Sequence, residues 1–221
     1  MSKTTNFIFI PVVNNFHLLQ KAINSVPENL YNEYFIFNNS GQNLDEHIDK
    51  KQFTIINETP LSFKDTQNKM RLYAIENGYD YYSFMHNDGE ILDDCAHRLI
   101  QKADELILNN EIWGAIFTNY DIFCAFNTNC VKNIGEWGDD NWPTQKSGYY
   151  LDVDYYRRMI IQNYQHIYIE SNVSHNEWSN TIRNETELQI WHSQKEKVEA
   201  HYANKWGGLP GNETEYIKIN F

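Results

Sequence analysis

The chain of 221 residues carries 18 basic and 30 acidic side chains, a net charge of −12, and its Lys and Arg are not clustered as they would be in a general nucleic-acid binder. With 41% hydrophobic and 22% charged residues it has the composition of a globular domain rather than of a disordered segment, and no run of about 18 apolar residues is present to span a membrane. The unusual feature is 15% aromatic residues, among them 15 Tyr and 6 Trp. They fit a Tyr-rich core first, and a surface for stacking sugars or nucleotides second. Cys95, Cys124 and Cys130 are an odd number without metal-type spacing, expected as reduced core residues. The N-terminal residues show no signal-peptide pattern, so a cytoplasmic location is expected.

In chain order, residues 7–13 form a continuous apolar run, the pattern of a strand buried on both faces of a parallel sheet. Asn14-Asn15 interrupts it, and Phe16, Leu19, Ala22, Ile23 and Val26 follow at helical spacing up to Pro27. A second strand over 34–37 ends in Asn38-Asn39-Ser40-Gly41, and a third runs over 53–56. Phe63, Gln67, Met70 and Ala74 mark a helix stopped by Asn77-Gly78. Residues 81–85 predict a strand that ends in His86-Asn87-Asp88-Gly89-Glu90. Asp93-Asp94 then opens the clearest helix, with Cys95, Leu99, Ala103, Leu106 and Ile107 as its apolar stripe.

Strands are predicted over 113–117 and 122–126. Residues 135–149 break the periodicity with Gly135, Gly138, Pro143 and Gly148, and read as a long loop whose two tryptophans suit a lid. Helix returns over 152–164, strand over 166–170, and a helical stripe from Leu188 through Trp191, Lys195, Val198 and Tyr202 reaches Lys205-Trp206-Gly207-Gly208. This alternation predicts one α/β domain with a mostly parallel sheet and right-handed crossovers. Ligands in such sheets bind at the carboxyl ends of the strands, where the topology switches.

With those segments in place, the sequence resembles the GT-A glycosyltransferases, in particular the family-2-like group and the small virus-encoded sugar transferases related to it. Ile10-Pro11-Val12-Val13-Asn14 is similar to the opening strand that meets the nucleotide base. Asn38-Asn39-Ser40 stands where relatives carry an acidic residue, and Gln67-Asn68 resembles the family's helical Arg-Asn or Gln-Asn pair. Phe84-Met85-His86-Asn87-Asp88-Gly89-Glu90 is similar to the strand-terminal D-x-D region, with His86 in place of the first carboxylate. Leu151-Asp152-Val153-Asp154 with Arg157-Arg158 resembles the E-D-x-D-x-x-x-R helix start, Leu151 replacing the Glu. Ser174-His175 and Lys205-Trp206-Gly207-Gly208 look like two late elements.

The resemblance implies a Rossmann-like domain in which residues 1–92 bind the nucleotide sugar and 93–221 the acceptor. It implies a UDP-sugar donor of glucose, galactose or rhamnose type, a glycan acceptor, and Mn²⁺ or Mg²⁺ to offset the charge of the leaving diphosphate. Asp88 is the expected metal ligand, with His175 and, less strongly, Glu90 completing the site. Pro11, Val12, Val13, Asn14, Asn38, Asn39, Gln67, Asn68, His86 and Asn87 are the expected nucleotide-sugar contacts. An inverting transfer needs a carboxylate to take the acceptor's proton. Asp152 is first in line for that role and Asp154 second, although either carboxylate also suits a helix start. Trp137, Asp139, Asp140 and Trp142 are expected to cover the acceptor, with burial of the two indoles against the sheet as the alternative, and Arg157, Arg158 and Lys205 are candidate diphosphate contacts. A noncatalytic nucleotide-sugar or glycan-binding module is the alternative function. A nucleotidyltransferase is disfavoured, because no Gly-rich loop follows the first strand.

Overall fold

The computed structural model describes residues 4–58, 60–143, 149–176 and 185–215. Seven strands form one sheet: β1 (Asn6–Val12), β2 (Glu33–Asn38), β3 (Thr54–Asn57), β4 (Tyr81–Met85), β6 (Trp113–Thr118), β7 (Tyr120–Asn127) and β8 (Gln165–Tyr168), ordered 3-2-1-4-7-6-8. Only β7 runs against the rest. Two short strands, β5 (Gly89–Ile91) and β9 (Val173–His175), pair antiparallel outside it. The predicted mostly parallel α/β fold is therefore the observed one.

The chain steps outward from β1 to β3 and then returns to place β4 on the other side of β1. That reversal puts the carboxyl ends of β1 and β4 side by side at a topological switch point.

Helices α1 (Phe16–Ser25) and α3 (Cys95–Leu108) cover one face of the sheet; α2 (Phe63–Glu76), α4 (Thr128–Ile134), α5 (Leu151–Ile161) and α6 (Glu185–Trp206) cover the other. Strand alternation sorts side chains between them. Ile8, Ile10, Val12 and Ile36 meet Leu19, Ile23, Leu99 and Leu106 in a largely aliphatic layer. Phe7, Phe9, Phe35, Phe37, Tyr82, Phe84, Phe117 and Phe126 meet Tyr155, Tyr156, Tyr202 and Trp206 in an aromatic one. The aromatic excess is thus mainly core, concentrated on one side of the sheet.

In residues 135–143 the two indoles take the alternative expected for them, burial. Trp137 is 1% exposed and stacks on Tyr155 with centroids 4.0 Å apart and planes 10° apart, while Trp142 is 5% exposed. Each indole fills the aromatic layer because burying its large apolar area outweighs holding it in water. Residues 144–148 of the expected loop lie outside the described residues. Helix α4 and the β5–β9 ribbon have no counterpart among the predicted elements. Three-residue strands carry no periodicity to detect, and α4 reads in sequence as the tail of the preceding strand.

Candidate active site

Asp88 lies three residues beyond the end of β4. The chain turns there, the Gly89 amide donating to the His86 carbonyl (3.1 Å). A Cβ at Gly89 would stand 3.0 Å from the Ile122 side chain and 3.2 Å from that carbonyl, so a larger residue there would make the turn or Ile122 give way. β5 begins at once and pairs with β9 so that Gly89 opposes His175. The Asn176 amide donates to the Asp88 carbonyl (2.8 Å) and fixes the two segments together. The ribbon thus carries a histidine from far along the chain to the end of β4.

His175 Nε2 lies 3.2 Å from Asp88 Oδ2, and His86 Nδ1 lies 3.8 Å from Asp88 Oδ1. The two imidazoles are 5.6 Å apart, and one ligand atom from each of His86, Asp88 and His175 falls within 4.8 Å of the others. Asp88 is only 6% exposed, yet its Oδ1 and the Nε2 of His86 are buried without a hydrogen-bond partner among the described residues. Buried polar atoms are rarely left so, and the open Asp88 oxygen, faced by His86 Nδ1 with His175 on the other carboxylate oxygen, belongs to a donor set that fits a divalent cation.

Electrostatics agree with that fit. Burial pushes the His86 imidazole down to about 4, against the opposing pull of Asp88, which leaves it neutral and able to ligate. Burial alone would raise Asp88, but the hydrogen bond from His175 and the charges of both histidines hold it below the usual carboxylate range. The bond to Asp88 raises His175, with burial opposing it.

A second carboxylate group faces the first. Asp121, the second residue of β7, accepts from the Tyr156 hydroxyl (3.0 Å) and lies 3.9 Å from His86 Nε2. Asp152, the second residue of α5, accepts from the Tyr120 hydroxyl (2.6 Å). Burial raises both above the usual range, and the charge of Asp121 raises Asp152 further. Asp121 is absent from the sequence-predicted site. Its signal was a lone acid heading a strand that reads as fully buried, where an acid has no reason to sit unless it has partners.

The other predicted residues divide between this site and the scaffold. The Asn87 side chain donates to the Asn14 carbonyl (2.9 Å) and ties the ends of β4 and β1 together, beside an exposed Val13. Pro11 is half-buried and Val12 buried at the end of β1. Asn38 bonds Asn57 and Ser40, and Asn39 bonds Thr66, both within the fold. Gln67 is fully buried, and Asn68 exchanges two hydrogen bonds with the Trp137 backbone. Asn68 therefore anchors residues 135–143. Glu90 accepts from Asn176 (3.2 Å) and stands outside the His-Asp-His cluster.

Asp154 is likewise held within the scaffold. It is completely buried and receives Arg158 Nε (3.1 Å), Lys205 Nζ (2.7 Å) and Trp206 Nε1 (2.9 Å). Arg157 pairs with Glu213 at 3.3 Å, so the three candidate diphosphate cations are all engaged in the scaffold. Asp139 meets His201 (3.1 Å) and Lys205 (3.4 Å), while Asp140 is exposed. Gly207 (φ 72°) and Gly208 follow because a Cβ on either would collide with the returning segment at Thr214 or Asn212. The Lys-Trp-Gly-Gly motif is thus a lock on Asp154.

No family model matches the chain, and no curated protein matches it in sequence. Solved structures do match. A mannosyltransferase from Pyrobaculum calidifontis, in complex with GDP-Man and Mn²⁺, superposes with a TM-score of 0.60 at 12% identity over 95% of this chain and 66% of its own. Glucosyl-3-phosphoglycerate synthase from Mycobacterium tuberculosis, in complex with Mn²⁺, UDP and phosphoglyceric acid, gives 0.65 at 9% identity over 95% and 80%. Residues 1–349 of TarS from S. aureus give 0.52 at 10% over 75% and 58%. The chain thus spans about two thirds or less of the first and last of these. The expected likeness to virus-encoded enzymes has no counterpart among the three. What they share with this chain is the fold, and it is the Rossmann-like GT-A fold of nucleotide-diphospho-sugar transferases.

Proposed function

We propose that this chain is a metal-dependent glycosyltransferase that moves a hexose from a UDP-sugar to a hydroxyl of a glycan acceptor with inversion, acting in the cytoplasm. The observation that carries the reading is the His86–Asp88–His175 cluster, with Asp88 Oδ1 buried and unpartnered among the described residues, at the switch point of the sheet. The three solved relatives with this fold, two of them named with Mn²⁺, support it. Asp88, His86 and His175 would hold the cation. Two imidazoles beside one carboxylate suit Mn²⁺ better than Mg²⁺, which prefers oxygen ligands and retains its water. When bound, the cation supplies positive charge beside the departing diphosphate.

The chain's own residues account for the other steps. Residues 1–92 supply the donor side, with Val13, Asn14 and Asn87 at the adjoining ends of β1 and β4 positioned toward the nucleotide. Residues 93–221 supply the acceptor side. Asp152, held by Tyr120, takes the proton of the attacking hydroxyl, and Asp121 keeps that region acidic. No lysine or arginine pairs with Asp88 among the described ion pairs, so its negative charge remains available to a cation. The net charge of −12 is compatible with an anionic donor on the same ground.

UDP release from UDP-glucose, UDP-galactose and UDP-rhamnose, measured with Mn²⁺ and a mixed glycan acceptor pool, tests the proposal. Metal-dependent turnover with one donor that falls at least 100-fold in Asp152→Asn is the expected result. UDP binding without turnover on any donor would overturn the enzymatic reading in favour of a nucleotide-sugar-binding module.

A further inference from the structure

Among the described residues, two aromatic rings stand exposed: Tyr120 at 52% and Tyr168 at 67%. Both lie at the carboxyl end of the sheet. Tyr168 ends β8, opposite Phe117 of β6 and 5.4 Å from its ring, and Tyr120 stands just past the end of β6. The Tyr120 hydroxyl donates to Asp152. Its backbone is left-handed, with φ 55°, a conformation disfavoured for a bulky residue. Such strain persists where the surrounding structure demands one orientation of the side chain. Here that orientation sets the ring in solvent and its hydroxyl on Asp152.

We propose that Tyr120 and Tyr168 form the platform on which the acceptor sugar ring stacks, with Tyr120 acting also as a positioning residue for Asp152. The inference rests on the transferase reading above and names its acceptor subsite. A pyranose has one face of C–H groups that packs on an aromatic ring and a rim of hydroxyls that hydrogen-bond carboxylates and phenols. The two tyrosines with Asp152 offer both kinds of surface, next to the group that would take the proton. The buried indoles of Trp137 and Trp142 offer no such surface.

The test uses the full chain labelled with 3-fluorotyrosine, loaded with Mn²⁺ and UDP, and titrated with methyl β-glucopyranoside, methyl β-galactopyranoside and methyl α-rhamnopyranoside. The Tyr120 and Tyr168 fluorine signals, assigned from the Tyr120→Phe and Tyr168→Phe proteins, are expected to shift together with at least one sugar while those of buried tyrosines stay fixed. Tyr168→Ala should weaken that sugar at least fivefold, and Tyr168→Phe should restore it, because stacking needs the ring and not its hydroxyl. Tyr120→Phe should leave sugar affinity within twofold but lower the rate of UDP release about tenfold. Shifts confined to other tyrosines, no shift with any of the three sugars, or unchanged affinity in Tyr168→Ala would overturn the platform. Calorimetry of UDP with Mn²⁺ on the same samples separates the two readings: absent nucleotide binding defeats the transferase assignment itself, whereas intact binding without sugar shifts defeats the platform alone.

Discussion

Asp88 and Asp154 are both buried carboxylates, yet the chain treats them in opposite ways. Asp154 has donors on both oxygens, from Arg158, Lys205 and Trp206, and no lone pair is left to direct at a ligand. Asp88 has one oxygen toward His175 and the other without a hydrogen bond. A fully satisfied carboxylate joins elements; a half-satisfied one waits for something. The two stand about equally well in a sequence motif, so motif position alone does not distinguish them, and the count of donors does.

The largest effect follows from removing the satisfied one. Asp154→Ala leaves the Arg158 charge without its carboxylate and the Nε–H of Arg158 and the indole N–H of Trp206 buried without their acceptor, and breaking a buried pair from one side costs about 3–5 kcal/mol. In a chain of this size that lowers Tm by roughly 6–20 °C, readable by calorimetry in the absence of any ligand. A loss below about 1 kcal/mol would show that the Asp154 network is dispensable and would remove the contrast with Asp88.

Asp88→Asn is the reciprocal case. Little in the fold depends on its charge, so Tm without metal should move by no more than about 2 °C. The stabilisation that saturating Mn²⁺ gives the wild type, about 2.7 kcal/mol at a hundredfold excess over Kd, should vanish. UDP release should fall about 100-fold or more. An unchanged Mn²⁺-induced shift would place the cation elsewhere and discard the His86–Asp88–His175 site.

Much of this could be read from the amino acids, and the misses have physical reasons. The strands β1, β2, β4 and β6 declared themselves by continuous apolar runs, and Asp88 by ending one of them. Asp121 could not, because its neighbours in space, His86 and Tyr156, are 35 residues away in each direction. Trp137 and Trp142 were legible as a pair of indoles, but the choice between covering an acceptor and burial was not. Burial depends on Tyr155 and Asn68 arriving from α5 and α2, information that no local pattern holds. Asp154 stands second to Asp152 as a base only through the motif it resembles, with a helix start as the alternative; only the return of α6 with Lys205 and Trp206 shows what it binds.

Asp93 calibrates the comparison at its weak end. It is a carboxylate with several donors but little burial: the side chain is 28% exposed, Arg98 reaches Oδ2 at 2.7 Å, and the Cys95 and Asn172 amides donate at 3.0 and 3.1 Å. What burial there is opposes ionisation, but the hydrogen bonds from Cys95 and Arg98 overcome it and hold the carboxyl at about 2. Because the folded value lies below the unfolded one near 4, the stabilisation is complete above about pH 5 and is lost as pH falls through about 2. With allowance for solvent screening around so open a group, it amounts to about 1 kcal/mol. Urea unfolding of Asp93→Asn should therefore show a deficit of that size at pH 6 and about half of it at pH 3. A deficit independent of pH would mean that hydrogen-bond geometry rather than charge does the holding. Donor count without burial would then say nothing about a carboxylate's worth, and the distinction between Asp88 and Asp154 would rest on burial and donors taken together.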